Sequence, residues 1–387
     1  MTVEAADIAN LVYDLHGART MRGVLNVSAS KAVAVLKIVT HRLTQRDFFL
    51  HPKDGVAVEN GFLAIESGSV ALRQHSPDQR QQSRISLPFD PNADTSVCDG
   101  FLFETLGDQS LVNLIYEVAG VAVFGYGSRY QVIIIFHGEG ANGKSLIVKL
   151  IQKLIAPSMR SSVPPSEWGD DYQRFLLAGS RFNAVGELPP FKTKSMEALK
   201  GISAGDRITV RRVKETGFEI RPIALHLFST NQLPPLPETG TAIERRFLVV
   251  PFDKVVPLER RIPDFEVELF QRGGLGFLRR TVEGFQRVLK RGRFSRPQSA
   301  RIATLRWMHG SDPVRVFAEI RLEKVSDPNA RIRASDMYKE CCSFCAAADL
   351  SPPSSLKQLS SRLKQLGYAS TKSSTMVWIG VKFRDTP

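Results

Sequence analysis

Cysteine is scarce in this sequence, with four in 387 residues, and three of the four are Cys341, Cys342 and Cys345 in the stretch MYKECCSFCAAA. This spacing lacks the paired ligands of a structural zinc site, and no histidine cluster accompanies it. The cysteines are expected to line the apolar side of a helix in a reducing cytoplasm. A zinc-binding module is therefore not expected.

Long apolar runs and repeats are also missing. No apolar run approaches the roughly 18 residues that span a bilayer, and the N-terminus does not resemble a signal peptide. We therefore expect an intracellular protein without a membrane partner. A chain of 387 residues is long enough for two or three domains. The polar stretches QHSPDQRQQS and KRGRFSRPQS are candidate boundaries or linkers.

Acidic residues are fewer than basic ones, with 39 Asp and Glu against 52 Lys and Arg, a net charge of +13. The sequence pI is about 9.7. From Lys290 to the C-terminus there are 18 Lys and Arg against eight Asp and Glu, so most of the excess lies in the last quarter. Such a charge favours a polyanionic partner such as nucleic acid. A solvated basic face is the alternative.

The stretch QVIIIFHGEGANGKSLIVKLI contains the strongest motif, because an apolar strand pattern runs through a glycine-rich turn into a helical pattern. The turn fits Gly-x-x-x-x-Gly-Lys-Ser, in which backbone amides and the helix N-terminus bind phosphate. Lys144 is predicted to reach the β/γ-phosphates and Ser145 to ligate Mg²⁺. The alternative is a chance glycine turn, and His137 is expected to be a packing residue. The predicted nucleotide-binding residues are Gly138, Gly140, Ala141, Asn142, Gly143, Lys144, Ser145 and Leu146.

Two polar residues follow later predicted strands. Glu187 comes after a short strand from Arg181 to Val185 and before a proline pair. A P-loop enzyme needs a carboxylate there to hold the metal and orient water, so Glu187 is a candidate catalytic and metal-binding residue, with a solvent-exposed glutamate as the alternative. Asn231 follows the apolar run Ile223 to Phe228, and it is either a γ-phosphate sensor on the strand next to the P-loop strand or part of a turn.

Basic residues mark two further segments. Residues Ile208 to Val213 and Phe218 to Arg221 are predicted to form a hairpin, with Arg211, Arg212 and Lys214 near its tip; an exposed hairpin that contacts only solvent is the alternative. Arg245 and Arg246 open an apolar strand. They are either rim charges or arginine fingers that act on a neighbouring subunit's γ-phosphate.

The C-terminal stretch SSLKQLSSRLKQLGY predicts an amphipathic helix, followed by an alternating segment that predicts a hairpin. A helix beside a wing-like hairpin is a familiar duplex-binding arrangement, with Lys357 and Lys364 as candidate DNA contacts. The alternative is a small basic domain that packs against other subunits in a ring-shaped assembly or binds a protein partner. The predicted apolar face consists of Leu356, Leu359, Leu363 and Leu366.

Taken in order, these parts resemble superfamily 3 helicases, particularly the helicase part of phage, plasmid and poxvirus-type primase-helicases. The resemblance is carried by GEGANGKS, AVGEL, LKGISAGD, FSTNQLPP and RRF…VPF, and it extends from about residue 50 to the tail SSRLKQLGY. Two features depart from the family pattern: no second acid adjoins Glu187, and SAGD replaces the commoner double glycine before Asp206. No primase domain is expected before residue 50.

The resemblance implies an α/β fold: an AAA+-type P-loop ATPase with a parallel sheet, an N-terminal α+β region and a small C-terminal winged-helix domain. The implied boundaries are 1–105 for the N-terminal region, 106–292 for the ATPase and 300–387 for the winged helix. The implied roles are nucleotide and Mg²⁺ ligands for Lys144 and Ser145, Walker B acid for Glu187, sensor for Asn231, finger for Arg245 or Arg246, and DNA-contacting hairpin for Arg211, Arg212 and Lys214.

The implied function is that of an ATP- and Mg²⁺-dependent replicative DNA helicase of phage or mobile-element type, acting in the cytoplasm of a bacterial or phage-infected cell. It would form a hexameric ring on single-stranded DNA and unwind duplex at forked DNA, alongside a separate primase or polymerase. One alternative is a replication initiator or ATP-controlled DNA-binding switch without processive unwinding. A small-molecule P-loop kinase is a second alternative, disfavoured by the basic tail and the hairpin.

Overall fold

The computed structural model describes residues 10, 12–43, 48–49, 51–212, 214–237, 240–257, 259, 262–310, 312–327, 329–372 and 375–384. The chain divides into two compact units, one of residues 1–53 and 76–82 and the other of residues 54–75 and 83–387. Most of the predicted break QHSPDQRQQS thus belongs to the first unit. Among the described residues, no helix is both long and apolar enough to cross a bilayer.

The first unit contains a short hairpin, a helix and a capped turn. In the hairpin, β1 (Arg19–Thr20) pairs antiparallel with β2 (Gly23–Val24). The helix α1 spans Ala29–Leu43. A reciprocal pair of hydrogen bonds between Ser76 and Gln79 forms a capping box, which satisfies the free amides at the start of a 3₁₀ turn.

The second unit begins with an antiparallel sheet and then alternates helices with strands. Its first part contains β3 (Gly55–Val58), β4 (Gly61–Glu66), β5 (Ser69–Arg73), α2 (Ser96–Leu106), α3 (Gln109–Phe124) and α4 (Gly127–Tyr130). Its central part contains β6 (Ile133–His137), α5 (Lys144–Lys153), β7 (Arg160–Ser161), α6 (Asp171–Phe175), β8 (Phe182–Val185), α7 (Thr193–Ala204), β9 (Ile208–Val210), β10 (Phe218–Ile220), β11 (Leu225–Thr230), α8 (Thr241–Glu244), β12 (Phe247–Pro251) and α9 (Phe265–Arg291). Its last part contains α10 (Gln298–His309), α11 (Pro313–Arg321), β13 (Leu322–Lys324), β14 (Arg331–Arg333), α12 (Ala334–Ala347), α13 (Leu356–Gln365), β15 (Ala369–Lys372), β16 (Met376–Ile379) and β17 (Val381–Phe383).

Five of these strands form a parallel sheet in the order β12–β6–β11–β8–β7. β6 is an apolar run buried along almost its whole length, as expected for a parallel strand covered by helices on both faces. The register pairs His137 with Thr230 on one side and with Pro251 on the other. The carboxyl ends of β6, β11 and β12 therefore lie in one row.

The strands predicted around the P-loop are present, with ends that shift by one or two residues. The run Ile223 to Phe228 was expected to be a strand, whereas β11 begins at Leu225 and continues to Thr230. This extension follows from tertiary pairing, because Thr230 lies opposite His137 in the neighbouring strand. Of the predicted hairpin, Ile208–Val210 and Phe218–Ile220 pair antiparallel, and Val213 lies outside the described residues.

Alternate side chains of the sheet face two separate cores. Ile134 and Phe136 belong to a large cluster with residues of α3, α5 and α9, whereas Ile133 and Ile135 point to the other face and pack in a cluster with Trp168. Residues of β3, β4 and α2 also belong to the large cluster. The cluster thus extends across residue 105, where the boundary between domains remains a prediction.

Glycine allows α3 and α9 to cross at very short distance. An added Cβ at Gly284 on α9 would overlap backbone atoms of Tyr116 on α3, and one at Gly120 would lie 2.7 Å from Cβ of Phe285. This approach brings the rings of Phe124 and Phe285 into a stack with centroids 4.1 Å apart. The crossing therefore depends on residues without a side chain.

The predicted break KRGRFSRPQS is a packed connection and not an exposed linker. Phe294 is buried, and its ring centroid lies 5.6 Å from that of Tyr130. The buried carboxylate of Glu117 accepts hydrogen bonds from the Arg291 side chain and the Ser295 amide, each at 2.7 Å. These contacts hold the segment after α9 against α3.

The helix α10 covers the open edge of β12. The amide of Val249 donates to Oγ1 of Thr304 at 2.9 Å, and this hydroxyl donates to the carbonyl of Ala300 at 2.7 Å. The ring of Trp307 packs on Phe247 with centroids 5.0 Å apart. An edge amide that would otherwise need water is thus satisfied within the protein.

The C-terminal part has its own buried cluster. It contains a three-stranded sheet in the order β14–β16–β15 and a β13–β17 pair. Cys341 and Cys345 are buried on α12 and Cys342 is half-buried, which confirms the predicted packing on a helix. On α13, Leu359 and Leu363 are buried, but Leu356 is 36% exposed. Its assignment to the apolar face was wrong, because it occupies the first helical position, beyond the packed surface.

We expect Gly284→Ala to lower the free energy of unfolding by about 1–3 kcal/mol, because the new methyl group would overlap the backbone of α3. The higher helix propensity of alanine offsets about 1 kcal/mol of such losses. Gly274→Ala on the same helix is the control, since its Cβ would lie 3.5 Å from the side chains of Leu87 and Phe270, an ordinary contact. Urea denaturation measures both variants, and equal midpoints would contradict the close crossing.

A buried histidine on β11 makes stability depend on pH. Nδ1 of His226 lies 3.2 Å from the Asn183 amide nitrogen, and burial lowers the pKa of His226 to about 3. An unfolded chain binds a proton at this residue below about pH 6.5, whereas the folded chain binds it only below about pH 3. The contribution of neutral His226 to the free energy of unfolding is therefore complete above about pH 6.5 and is lost as the pH falls below this value. Between pH 7 and pH 5 we expect a loss of about 2 kcal/mol from this group.

His226→Phe removes the titrating group at similar volume. Urea denaturation at both pH values should show a smaller pH dependence in the variant than in the unchanged protein. The comparison uses the change within each protein, so any loss of stability in the variant at pH 7 does not affect it. An identical pH dependence in the two proteins would contradict the assignment.

Candidate functional site

The predicted P-loop, residues 138–143, follows β6 and turns directly into α5, and other backbone segments hold its shape. Gly143 precedes the helix with φ of 84°, a left-handed conformation that glycine adopts without strain. The amide of Val256 donates to the carbonyl of Ala141 at 2.9 Å. The side-chain amide of Asn142, which is buried, donates to the carbonyl of Phe252 at 3.0 Å. The segment after β12 thus fixes the loop.

The first turn of α5 can bind an anion. Its first backbone amides, at Lys144, Ser145 and Leu146, have no carbonyl partner within the helix. They carry the partial positive charge of the helix N-terminus. Leu146 also packs against the large core cluster, which anchors the turn.

Lys144 lies at the centre of the site. Its Nζ donates to the carbonyls of Gly138 at 2.5 Å and Glu139 at 2.9 Å, and to Oδ1 of Asn142 at 3.0 Å and of Asn231 at 3.2 Å. Burial lowers the pKa of Lys144, and the negative charge of Glu187 partly opposes this shift. The structure therefore brings three of the sequence-predicted site residues, Lys144, Asn142 and Asn231, into direct contact.

Ser145 and Glu187 offer oxygen ligands of the kind that Mg²⁺ prefers. Ser145 is exposed in the first turn of α5, and Glu187 is exposed just after β8. The chain beyond Glu187 is held to the sheet, because the amide of Leu188 donates to the carbonyl of Ser229 at 2.8 Å. One carboxylate and one hydroxyl fit an ion whose other ligands are water and phosphate oxygens.

His137 ends the P-loop strand beside this group. It is half-buried, and burial together with the positive charge of Lys144 lowers its pKa, while the charge of Asp253 opposes the shift. A neutral imidazole at neutral pH follows. The carbonyl of His137 accepts from the Phe252 amide at 2.7 Å, so this residue joins the P-loop strand to the segment that fixes the loop.

The two candidate finger residues differ sharply in environment. Arg246 is 7% exposed, and its guanidinium donates to Oγ of Ser203 at 3.2 Å and to the carbonyl of Ala242 at 2.6 Å. Arg245 is exposed, and among the described residues its side chain has no hydrogen bond or ion pair. Its backbone is held, because its amide donates to the carbonyl of Thr241 at 3.2 Å and its carbonyl accepts from Arg296 at 2.9 Å. Arg245 is thus the residue of the pair with an available guanidinium.

Both arginines lie at the end of the sheet opposite the P-loop. They precede β12, which runs parallel to β6 with Phe247 opposite Ile133. Since a parallel strand rises about 3.3 Å per residue, the two ends of these five-residue strands lie roughly 15 Å apart. This separation exceeds the length of an arginine side chain, so a finger at Arg245 requires a second copy of the chain.

The β9–β10 hairpin forms its own two-stranded sheet and precedes β11 in the chain, so the chain runs from it to the amino end of β11, opposite the P-loop. The guanidinium of Arg212 lies 4.8 Å from the Phe175 ring centroid and 3.8 Å from Glu215. The guanidinium of Arg211 also makes a cation–π contact with α6. Lys214 is exposed in the turn with φ of 64°. Arg211 and Arg212 therefore help hold the hairpin on α6, and Lys214 is the basic side chain at its tip.

The predicted DNA-contacting lysines of the C-terminal part, Lys357 and Lys364, are both exposed on α13. The same helix is attached to α11 through Arg362, whose guanidinium donates to Asp312 at 2.5 and 2.8 Å. The helix thus presents basic side chains to solvent while an ion pair fixes its other face.

Sequence reasoning missed the residues that fix the site from a distance. Phe252 and Val256 hold the P-loop through backbone groups, which leave no mark on side-chain patterns. Ser203 anchors Arg246 across more than forty positions of sequence. Proline and glycine residues near these positions predict turns, but they do not predict which residues each turn contacts.

Comparison with known proteins gives distant similarities. The model of a family of unknown function, DUF5906, matches residues 136–246, from the P-loop strand to Arg246. The protein 184R of Invertebrate iridescent virus 6, a provisionally named helicase, is 23% identical over 218 residues, which cover 52% of this chain and 22% of that protein. The chain thus matches about a fifth of the length of this relative.

Two solved structures of the NrS-1 C-terminal region in apo form are also similar. One covers 76% of this chain and 77% of that chain at 15% identity with a TM-score of 0.40. The other, which like the first is of the A form, covers 76% of this chain and 78% of that chain at the same identity with a TM-score of 0.41.

Two glycines of the P-loop should respond differently to a methyl group. At Gly138 a Cβ would overlap the carbonyl of Phe252 and lie 2.6 Å from the Asn142 side chain, whereas at Gly140 nothing lies within 4 Å. We expect Gly138→Ala to distort the loop and weaken nucleotide binding at least about tenfold, equal to about 1.4 kcal/mol. Gly140→Ala should bind within about twofold of the unchanged protein.

Titration with a fluorescent ATP analogue measures the two affinities, and thermal melting checks that both variants are folded. Equal affinities in two folded variants would show that the contact of Gly138 with Phe252 does not shape the site.

Proposed function

We propose that this protein is an ATP-dependent replicative DNA helicase of the superfamily 3 type, from a phage or mobile element, that works as a hexameric ring on single-stranded DNA. The observation that carries the proposal is the meeting of Lys144 and Asn231 at one end of a parallel sheet whose other end displays Arg245. Similarity to a helicase-named viral protein supports the assignment to replication.

ATP would bind at the loop by exchanging partners around Lys144. The ammonium now donates to loop carbonyls, and phosphate oxygens would take over these hydrogen bonds together with the free amides of α5. Ser145 and Glu187 would hold Mg²⁺, which neutralises charge developing on the transferred phosphoryl group. The lone carboxylate of Glu187 would also orient the attacking water, and Asn231 would bond the γ-phosphate.

Hydrolysis would need an adjacent subunit. Arg245 is exposed and lies roughly 15 Å from the P-loop of its own chain, so it would act on the nucleotide of a neighbour, where a guanidinium stabilises transition-state charge. A closed ring places such a side chain at every interface. Arg246, which is anchored within its own chain, would support the turn that displays Arg245.

The hairpin connects this chemistry to DNA. In sequence it lies between Glu187 and Asn231, with α7 between Glu187 and its first strand and β11 between its second strand and Asn231. A rearrangement at the γ-phosphate would therefore reach Lys214 through two short, packed elements. Contacts of Lys214 with phosphate groups would be independent of sequence and sensitive to salt.

The C-terminal part would form a winged-helix domain beside the AAA+-type ATPase. The order α11, β14, α12, α13 and the β15–β16 hairpin supports this proposal, as do the exposed Lys357 and Lys364. The domain would contact duplex at forked DNA, and a separate primase or polymerase would supply primers. The alternative, a replication initiator that uses ATP only to control DNA binding, differs in lacking strand separation.

The central test separates hydrolysis from translocation. Lys214→Ala should keep basal ATPase and assembly, bind single-stranded DNA with a salt slope smaller by roughly 0.7, and lose most unwinding of a forked duplex. Lys144→Ala should lose both hydrolysis and unwinding while remaining folded by circular dichroism. Lys290→Ala, an exposed lysine at the end of α9, is the matched control and should unwind normally.

Two results would change the proposal. Full unwinding by a variant carrying both Lys214→Ala and Arg212→Ala would remove the hairpin as the translocating element. ATP-dependent DNA binding without strand separation by the unchanged protein would replace the helicase with the initiator or switch.

A further inference from the structure

A network of charged side chains lies immediately before Arg245. Oε1 of Glu244, the last residue of α8, accepts hydrogen bonds from Nε2 of His309 at 2.6 Å and from Nη2 of Arg315 at 2.8 Å. Nε of Arg315 donates to Oε1 of Glu319 at 2.9 Å. The network therefore joins α8 to α10 and α11, two helices from the part of the chain that follows α9.

Burial makes this network costly to break. The side chain of Glu244 is 16% exposed and that of His309 is 8% exposed, so an unpaired Glu244 carboxylate would be strongly destabilised. The ligand atoms of Glu244, His309 and Glu319 lie within 4.8 Å of one another. Because Arg315 donates to both carboxylates, its guanidinium balances their charge, and we infer no metal site here.

The backbone around Arg245 is fixed on both sides. Glu244, which precedes Arg245, is held by the network. The carbonyl of Arg245 itself accepts from Arg296 at 2.9 Å. Arg246, which follows Arg245, is anchored to Ser203 and Ala242. The Arg245 side chain is exposed on this turn. Its direction therefore depends on the placement of α10, α11 and the segment before them.

We propose that Glu244, His309 and Arg315 are positioning residues for Arg245, through which the C-terminal part of the chain controls the arginine that acts on a neighbouring subunit. This inference rests on the proposed function of Arg245. Asp312, which caps α11, is bonded to Arg362 of α13. A displacement of α13 on binding DNA would thus reach Arg315 through one helix and alter ATP hydrolysis at the next interface.

The test compares two arginines of α11. Arg315→Gln removes the positive charge that lies beside Glu244. It should lower kcat for ATP hydrolysis about 10- to 100-fold, as expected when a catalytic group is misplaced by about 1 Å. KM should stay within about twofold, because a finger acts on the transition state. Arg321→Gln is the control, since Arg321 pairs with Glu340 at 2.5 Å within the C-terminal part, and its kcat should be unchanged. Arg315→Lys, which keeps the charge, should recover part of the rate.

Mixed rings distinguish positioning from a general structural role. Arg315→Gln subunits have an intact P-loop, and Lys144→Ala subunits have an intact finger, so mixing them should restore ATPase at shared interfaces. Mixing Arg315→Gln with Arg245→Ala should restore none, because both lack a working finger. Glu244→Gln, which preserves side-chain shape, is a second variant that keeps the test decisive where Arg315→Gln does not fold. It should show the same loss of kcat and the same recovery with Lys144→Ala subunits.

The outcomes separate the two layers of the proposal. Wild-type kcat in both Arg315→Gln and Glu244→Gln, or loss of assembly without recovery in mixed rings, would overturn the positioning role. A wild-type kcat in Arg245→Ala would instead overturn the finger itself and with it the proposed function of this residue. A lower kcat in Arg245→Ala and in both positioning variants, with ATPase recovered only in rings mixed with Lys144→Ala subunits, would support both the finger and the positioning role.

Discussion

The parallel pairing of β6 with β11 and β12 is the constraint on which the candidate site depends. Because every strand of this sheet points the same way, its carboxyl ends meet at one edge and its amino ends at the other. The shared register puts His137, Thr230 and Pro251 in one row. From that row the chain continues into the P-loop, to Asn231 and to the segment that holds the loop. Because Arg245 precedes β12, which runs parallel to β6, it lies at the opposite edge of the sheet.

Buried charge organises the second level of the structure. Glu117 fixes the segment after α9 by accepting from Arg291 and the Ser295 amide, and Glu244 ties the turn before Arg245 to α10 and α11. A buried carboxylate requires its partners, since leaving it unpaired costs several kcal/mol. The contact between the C-terminal part and the turn before Arg245 includes such a group, Glu244, which accepts from His309 and Arg315.

The local elements of the site were predictable because their signals are short in range. The β-branched run before the glycines, the Gly-Lys-Ser turn and the helical pattern after it all lie within twenty-one residues. Glu187 and Asn231 were predicted as site residues by the same logic, as polar residues after apolar strands. The ends of β8 and β11 were misjudged by one or two residues, because pairing with a neighbouring strand decides where a strand stops. Leu356 was misassigned since periodicity does not reveal where the packed surface ends.

By itself, the sequence determined the glycine-rich loop between an apolar strand and a helix, the polar residues that follow the apolar strands, and the surplus of positive charge toward the C-terminus. Each of these is a property of adjacent residues. It could not distinguish Arg245 from Arg246, which are neighbours with the same chemistry. Tertiary structure decided between their environments, by burying Arg246 against Ser203 and leaving Arg245 exposed. It also decided that α9 crosses α3 closely at Gly284 and that Arg315 contacts Glu244. Both contacts join residues that are far apart in the chain, so they depend on how whole helices pack.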